Sequence, residues 1–313
     1  MVLSLGYVGT LRRRLIGIQE ANPGDPNLCL SLRGSGVAPG TLQCGPRQED
    51  QTFTRPDGTQ VLGTRGPFGP DFSTTFYEGN WSNSDYNSLQ ASLEKKAGRS
   101  SFLLAYTFSK AIDNGSFFND RLNYVNHNIS RAISNFDVTH NFVASYNYSL
   151  PFDRAFSSLP KRLVQGWNVS GITRFATGFP VSLNESDDHA LRGTSGIDMP
   201  NVVGPLGITS DVRNSPNHAW FSKSAFAPET LGQLGNADRR FFYGPGLNNW
   251  NLGLHKDTQL RESMKLQIRF EAFNAFNHAQ FNNPSGSFTA GTFGYITSAK
   301  APRIMQVAAK ITF

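Results

Sequence analysis

Hydrophobic and polar residues alternate one by one along several segments of the chain, which is the pattern of a two-faced β-strand. The clearest case is the C-terminal segment, where one face carries only apolar residues: Met305, Val307, Ala309, Ile311 and Phe313. The same alternation recurs in six earlier segments, near 89–93, 102–108, 142–150, 167–175, 250–254 and 264–272. With a first segment at 3–9, the pattern predicts about eight strands of about ten residues.

The C-terminal strand runs to the end of the sequence without a turn after it, and its last residue, Phe313, is aromatic. An apolar edge strand of this kind aggregates in water, whereas a membrane barrel pairs it with another strand and turns its apolar face to lipid. The pattern therefore predicts an all-β chain that forms an antiparallel transmembrane β-barrel segment.

The lengths of the connections alternate in the way expected of a bacterial outer-membrane barrel, which has short periplasmic turns and long outside loops. Counting back from Phe313 assigns three short connections to the periplasmic side: 97–100, 151–164 and 259–262. The four longer ones fall outside: 11–83, 111–136, 177–248 and 277–302. Each inside connection is shorter than its outside neighbours, so we predict the outer membrane of a Gram-negative cell as the location.

Composition narrows the class of protein further. The mean hydropathy is −0.35, and the sequence has no run of 18 apolar residues, which excludes a helical membrane protein but not a barrel with a polar lumen. The net charge is +6, yet the charges are dispersed apart from Arg12-Arg13-Arg14 and Arg239-Arg240. We therefore expect no nucleic-acid partner.

Few residues of the sequence suggest a disulfide, a metal site or an active site. Cys29 and Cys44 lie fifteen residues apart in a Gly/Pro-rich segment, which fits either a loop disulfide or two unpaired thiols. The loop 184–200 carries four carboxylates that could offer oxygen ligands to calcium: Glu185, Asp187, Asp188 and Asp198. The loop lacks the spacing of an EF-hand, so we expect it to be a solvated acidic loop. No nucleophile elbow or P-loop is present. We expect no enzyme activity, metal or cofactor.

Several segments resemble the C-terminal barrel of Oar-like TonB-dependent receptors, which carry a carboxypeptidase-regulatory-like domain upstream. In family order they are 84–95, 105–110, 135–146, 166–172, 244–250, 269–278 and the strand ending at Phe313. The resemblance covers about residues 80–313. It implies a barrel of about 22 strands closed by a plug, through which an energy-coupling complex draws scarce ligands. By resemblance to other barrels, the apolar residues 305–313 are the insertion signal read by the assembly machinery.

No signal peptide, regulatory-like domain or plug is recognisable in the sequence, so we expect residues 1–313 to be the C-terminal portion of a longer receptor. The expected partners are outer-membrane lipid, the barrel-assembly machinery and an unknown small ligand, with the TonB complex added only if the missing part is present. Two alternatives stay open. One is a self-closing barrel with a structural or adhesive role, which requires 3–9 to pair with 304–313. The other is a soluble β-rich binding protein.

Overall fold

The computed structural model describes residues 1–194 and 196–313. Fourteen β-strands occur in this part of the chain: β1 (Val2–Glu20), β2 (Thr52–Thr54), β3 (Gln60–Leu62), β4 (Phe76–Ala97), β5 (Ser100–Asp113), β6 (Arg121–Leu122), β7 (Ala132–Ile133), β8 (His140–Ser149), β9 (Trp167–Ala176), β10 (Asn201–Val202), β11 (Phe226–Ala227), β12 (Leu247–Arg261), β13 (Met264–Phe273) and β14 (Ile304–Thr312). The α-helices are α1 (Pro26–Ser31), α2 (Phe152–Ala155) and α3 (Lys161–Val164). Five single-turn 3₁₀ helices lie at Gly34–Gly36, Pro70–Phe72, His127–Ser130, Pro216–His218 and Lys223–Ala225.

One ten-stranded sheet dominates the fold, in the order β14-β13-β12-β9-β8-β5-β4-β1-β6, with β7 paired to β5. Its long strands are antiparallel to their neighbours in sequence order. The prediction of an all-β chain is confirmed. The sheet is open: β1 pairs with β4 and with the short β6, and β14 pairs with β13, so the first and last long strands do not meet.

The strand register sorts side chains into two continuous faces. On one face, Leu5 lies opposite Ala91, and the row continues through Tyr106, Phe142 and Phe175. A second row on this face joins Leu254, Phe270 and Val307. Many side chains of this face are exposed, among them Leu5 at 70%, Val307 at 68% and Phe270 at 48%. The opposite face carries polar and charged side chains of the strands: Glu94, Arg174, Lys265, Arg269, Glu271 and Lys310.

The first strand and its connection differ from the prediction. β1 continues to Glu20 and β4 already begins at Phe76, so the connection is 21–75 rather than 11–83. Register shifts between Arg12 and Gly17 break the alternation that the sequence pattern relies on, and Arg14 has a φ of 58° there. A strand of 22 residues such as β4 is about 70 Å long. Both strands therefore extend well beyond an apolar band of about 25 Å.

Two connections are two-residue turns, 98–99 and 262–263, and Gly98 supplies the positive φ of 72° that the first one needs. A connection of intermediate length, 150–166, lies at the same end of the sheet and holds α2 and α3. The four connections at the opposite end are long, and we name them L1 (21–75), L2 (114–139), L3 (177–246) and L4 (274–303).

L1 to L4 pack on one another and form what we call the loop layer. Within residues 1–194 and 196–313, both clusters of buried apolar residues lie there and not on the sheet. One joins L3 to L4, and the other joins L1 to Leu191 of L3. L3 therefore contributes residues to both clusters. In the described part of the chain the longest helix has six residues, and no helix is long and apolar enough to cross a bilayer.

Candidate ligand-binding site between the loop layer and the sheet

A disulfide cross-links two parts of L1. Asp25 caps α1 by accepting hydrogen bonds from the backbone N–H groups of Asn27 and Leu28, and a proline follows at the first helical position. This short helix presents Cys29 to Cys44, and the two form a disulfide with their Cα atoms 5.2 Å apart. Both cysteines are buried among L1 side chains and Leu191 of L3. Of the two interpretations that the sequence left open, the structure contains the disulfide.

An aromatic cluster joins L3 to L4. Phe221 is 2% exposed, and its ring centroid lies 5.1 Å from Phe242 and 5.6 Å from Phe226, both in L3. It also packs edge-on against Phe293 of L4 at 5.0 Å. Such edge-to-face pairs contribute about 0.5–1.5 kcal/mol beyond their buried area. The cluster holds the two loops in a fixed relation.

The basic pair Arg239-Arg240 is buried, not presented to a polyanion. Arg240 donates from Nε to the carbonyl oxygen of Ile133 at 2.7 Å and from Nη2 to Ser116 Oγ at 2.8 Å. Its Nη2 also lies 3.5 Å from Asp113 and 3.3 Å from Asp120. Arg239 is less well bound, at 3.6 Å from Asp113 and 3.4 Å from Asp120. Burial, and then the charge of Arg240, lower the pKa of Arg239 to about 10. These contacts attach L2 to L3.

A cavity of about 530 Å³, here called the junction cavity, lies where the loop layer meets the polar face of the sheet. It receives side chains from β9 and from L2, L3 and L4, including Asn135, Phe136, Arg174, Phe179, Phe281 and Lys300. A further cavity of about 310 Å³ shares Phe136, Val138 and Arg174 with it and continues down the sheet toward Gln90. Together they form a path from the loops to the polar face.

The junction cavity combines aromatic surface with positive charge. Phe136 is 56% exposed and Phe179 is 49% exposed, so both rings present a free face. Arg174 is held in place because its Nε donates to Asn141 Oδ1 at 2.9 Å. The amide of Asn283 is likewise fixed, donating to the carbonyl oxygen of Pro180 at 2.8 Å. Fixed polar groups among aromatic side chains in a cavity of this size are typical of a small-molecule site.

Beyond this path, the polar face forms a groove of about 590 Å³ that crosses six neighbouring strands, from β4 to β13. Glu94, Ser145, Asn147, Asn251 and Glu271 line it. A wall of amides, hydroxyls and carboxylates facing a wide space is what a water-filled barrel lumen requires. The polar face of the sheet, with charged residues such as Glu94 and Glu271, thus has the composition of a lumen wall.

The acidic segment of L3 is not solvated, contrary to the prediction. Glu185 is 2% exposed and Asp198 is 1% exposed, because L1 covers them. Together with Glu49 of L1 and with Asp188 they line a cavity of about 470 Å³, here called the acidic cavity. Burial, followed by the charges of Asp188 and Glu229, raises the pKa of Asp198 to about 8. Burial is also the main cause that raises the pKa of Glu185 and of Glu49.

The structure places the C-terminal segment as the edge strand β14, with Met305, Val307, Ala309 and Ile311 on the apolar face. Its role as an insertion signal stays a prediction. Sequence reasoning missed the junction cavity, because Phe136, Phe179 and Lys300 lie in three different loops without periodic pattern. It also missed Glu49 and Glu229, which come from parts of L1 and L3 remote from the acidic segment.

Comparison with known proteins defines the class. Residues 1–306 match the family described as "Outer membrane beta barrel domain", and the chain belongs to that family. The location in the outer membrane that the strand pattern predicted is thereby confirmed. No curated protein matches the chain. Among solved structures, the outer membrane transporter YddB from Escherichia coli is similar at 9% identity and a TM-score of 0.45. The match covers 99% of this chain, which spans 30% of the YddB chain.

Proposed function

We propose that the chain is the C-terminal part of the barrel of a TonB-dependent transport receptor of the Oar-like kind, and that its ligand is captured in the junction cavity. The observation that carries the proposal is the position of this cavity of about 530 Å³. It lies between a folded loop layer and the polar face of an outer-membrane sheet, where a ligand would pass from the outside toward the lumen. The proposed role is transport and not catalysis.

The open sheet supports a place in a larger barrel. Backbone polar groups at a free sheet edge are not tolerated in the hydrocarbon region of a bilayer, so β1 and β14 require further strands. The alternative of a self-closing barrel rested on pairing between these two strands, which are not paired in the described chain: on the edge of β1 away from β4, only the two-residue β6 pairs with it. We propose that the remaining wall, the plug and the contact to the energy-coupling complex belong to the rest of the receptor.

The lining of the junction cavity favours an amphipathic, anionic small molecule as ligand. Arg174 and Lys300 supply positive charge, while Phe136, Phe179 and Phe281 supply apolar faces. A guanidinium binds a carboxylate or phosphate through paired hydrogen bonds, and aromatic faces bind the apolar part of such a molecule. A nucleic-acid partner is not part of the proposal, and the membrane-facing partners are lipid and the barrel-assembly machinery.

The test compares bacteria that produce the receptor with bacteria from which its reading frame has been deleted. Both cultures grow in the same medium, and depletion of low-molecular-weight anions is followed by mass spectrometry with and without collapse of the proton-motive force. We expect an anionic compound to be depleted only by the producing cells and only while the membrane is energised. Arg174→Ala should reduce that uptake at least tenfold at limiting concentration, whereas Lys265→Ala on the polar face should not. Equal depletion by producing and deleted cells would refute the proposal.

A further inference from the structure

Four glutamate and aspartate side chains of the loop layer are buried with most of their oxygens lacking a hydrogen-bond partner. Glu49, Glu185, Asp198 and Glu229 are 1%, 2%, 1% and 4% exposed, respectively. Both carboxylate oxygens of Glu185, Asp198 and Glu229, and one oxygen of Glu49, are buried and lack a hydrogen-bond partner. Buried ionised carboxylates normally have a cation or several donors beside them, so these oxygens call for a ligand.

The four carboxylates belong to one place. Glu49, Glu185 and Asp198 line the acidic cavity of about 470 Å³ together with Asp188. Glu229, from another part of L3, adjoins this cavity, and after burial it is the main cause that raises the pKa of Glu185. Two ionised carboxylates have no donor to share, so a close approach of the two is stable only with a proton or a cation between them.

The arginines around the acidic cavity are engaged elsewhere. Arg65 pairs with Asp50 at 2.5 Å, Arg192 donates to the hydroxyl of Tyr124 at 2.9 Å, and the guanidinium of Arg47 binds the carbonyl oxygen of Ser186. Arg121 also lines the cavity and stacks on the ring of Phe76, 4.0 Å from its centroid.

The contacts of Arg47, Arg65 and Arg192 named above end on groups other than the four carboxylates.

We propose that Glu185, Glu229 and Asp198 bind a divalent cation, calcium by preference, in the acidic cavity, with Glu49 closing the site from L1. A set of ligands made only of oxygen suits a hard cation, and calcium accepts irregular geometry and several water ligands. In the described chain no three acidic, histidine or cysteine side chains already stand in metal-binding geometry. Binding therefore requires rotation of the carboxylates toward the ion, for which the cavity provides room.

The cation would connect L1 to L3. Glu49 belongs to L1, whereas Glu185, Asp198 and Glu229 belong to different stretches of L3. An ion that binds only the folded loop layer stabilises it in proportion to the logarithm of its concentration over its dissociation constant. The outer face of a Gram-negative cell, bathed in external divalent cations, would keep such a site filled.

The protein purified from outer membranes in detergent, dialysed against metal-free buffer, provides the first test. We expect elemental analysis to find about one retained calcium per chain, and we expect EGTA to lower the melting temperature of the loop layer until calcium is added back. Glu185→Gln and Glu229→Gln should each weaken calcium binding at least tenfold. Asp71→Asn, which changes an exposed carboxylate of L1, should bind calcium like the unmodified chain.

Two outcomes would overturn the proposal. The first is unmodified protein that retains no divalent metal and melts at the same temperature with EGTA, calcium or magnesium. The second is calcium binding that survives both glutamine substitutions. Because the metal content and the EGTA response are measured on unmodified protein, the test stands even where a glutamine variant does not fold. The first outcome would leave a shared proton between Glu185 and Glu229 as the interpretation, and the second would place the calcium at other residues.

Discussion

The two neighbouring arginines of L3 provide a sharp test of how the loop layer is held together. Arg240 and Arg239 approach the same two carboxylates, Asp113 and Asp120, yet their surroundings differ. The Arg240 side chain is 1% exposed and donates two short hydrogen bonds, to Ile133 and to Ser116. In the described chain the side chain of Arg239 makes one hydrogen bond, to the carbonyl oxygen of Ser130 at 3.2 Å, and its Nε and Nη1 have no hydrogen-bond partner.

These differences give unequal costs for replacement by methionine, which keeps an unbranched apolar stem but removes the charged guanidinium. Hydrogen bonds from a charged donor are worth about 1.5–3 kcal/mol each, and breaking a buried ion pair costs about 3–5 kcal/mol. Arg240→Met should therefore destabilise the loop layer by about 3–5 kcal/mol. Arg239→Met removes a desolvated, poorly satisfied cation and leaves both aspartates with Arg240. Its cost should stay below about 1 kcal/mol.

Amide hydrogen exchange read by mass spectrometry separates the two variants. A difference of at least 2 kcal/mol corresponds to roughly 30-fold faster exchange, and we expect it in peptides from L2 and L3 of the Arg240→Met protein alone. Peptides from β13 report on the sheet and should exchange equally in both variants. If Arg239→Met accelerates exchange as much as Arg240→Met does, the assignment of stability to hydrogen-bond geometry is wrong.

Three further perturbations test other parts of the fold. Replacing Cys29 and Cys44 by serine opens a fifteen-residue loop and should destabilise L1 by about 3 kcal/mol; unchanged protease resistance of L1 would contradict this. Phe221→Ala should cost about 3–5 kcal/mol and release L4 from L3, which thermal unfolding measures; a melting temperature equal to that of the unmodified chain would show that the cluster is dispensable. Val307→Arg on the apolar face should cost about 2–4 kcal/mol in a bilayer, whereas Gln306→Arg on the opposite face should cost little. Equal unfolding free energies of these two variants in lipid vesicles would refute the assignment of faces.

The sheet could be predicted from sequence because its side chains obey a strict period of two. Each long strand pairs with the long strands that precede and follow it in the chain. The order of pairing therefore follows from the order of the segments. The prediction failed where β1 has register shifts near Arg14, since a bulge moves the following residues to the other face. For the same reason it assigned residues 11–20 of β1 and 76–83 of β4 to a loop.

The loop layer could not be predicted, because its contacts join residues far apart in sequence and follow no period. Arg240 binds Ile133 across 107 positions, and Phe221 packs on Phe293 of another loop. The acidic segment of L3 looks solvated in isolation. Only the cover provided by L1 buries it, and a charge pattern within one loop carries no information about that cover.

The central position of L3 limits how such a surface can change. L3 packs on L1 through Leu191, on L2 through Arg240 and on L4 through Phe221. A residue inserted into any of these segments displaces at least one partner loop, so variation in loop length is costly in this architecture. Single side-chain replacements in the lining of the junction cavity, at positions such as Phe136 or Lys300, leave these three attachments intact. New ligand preferences are therefore expected to arise by exchange of individual side chains within an unchanged loop scaffold.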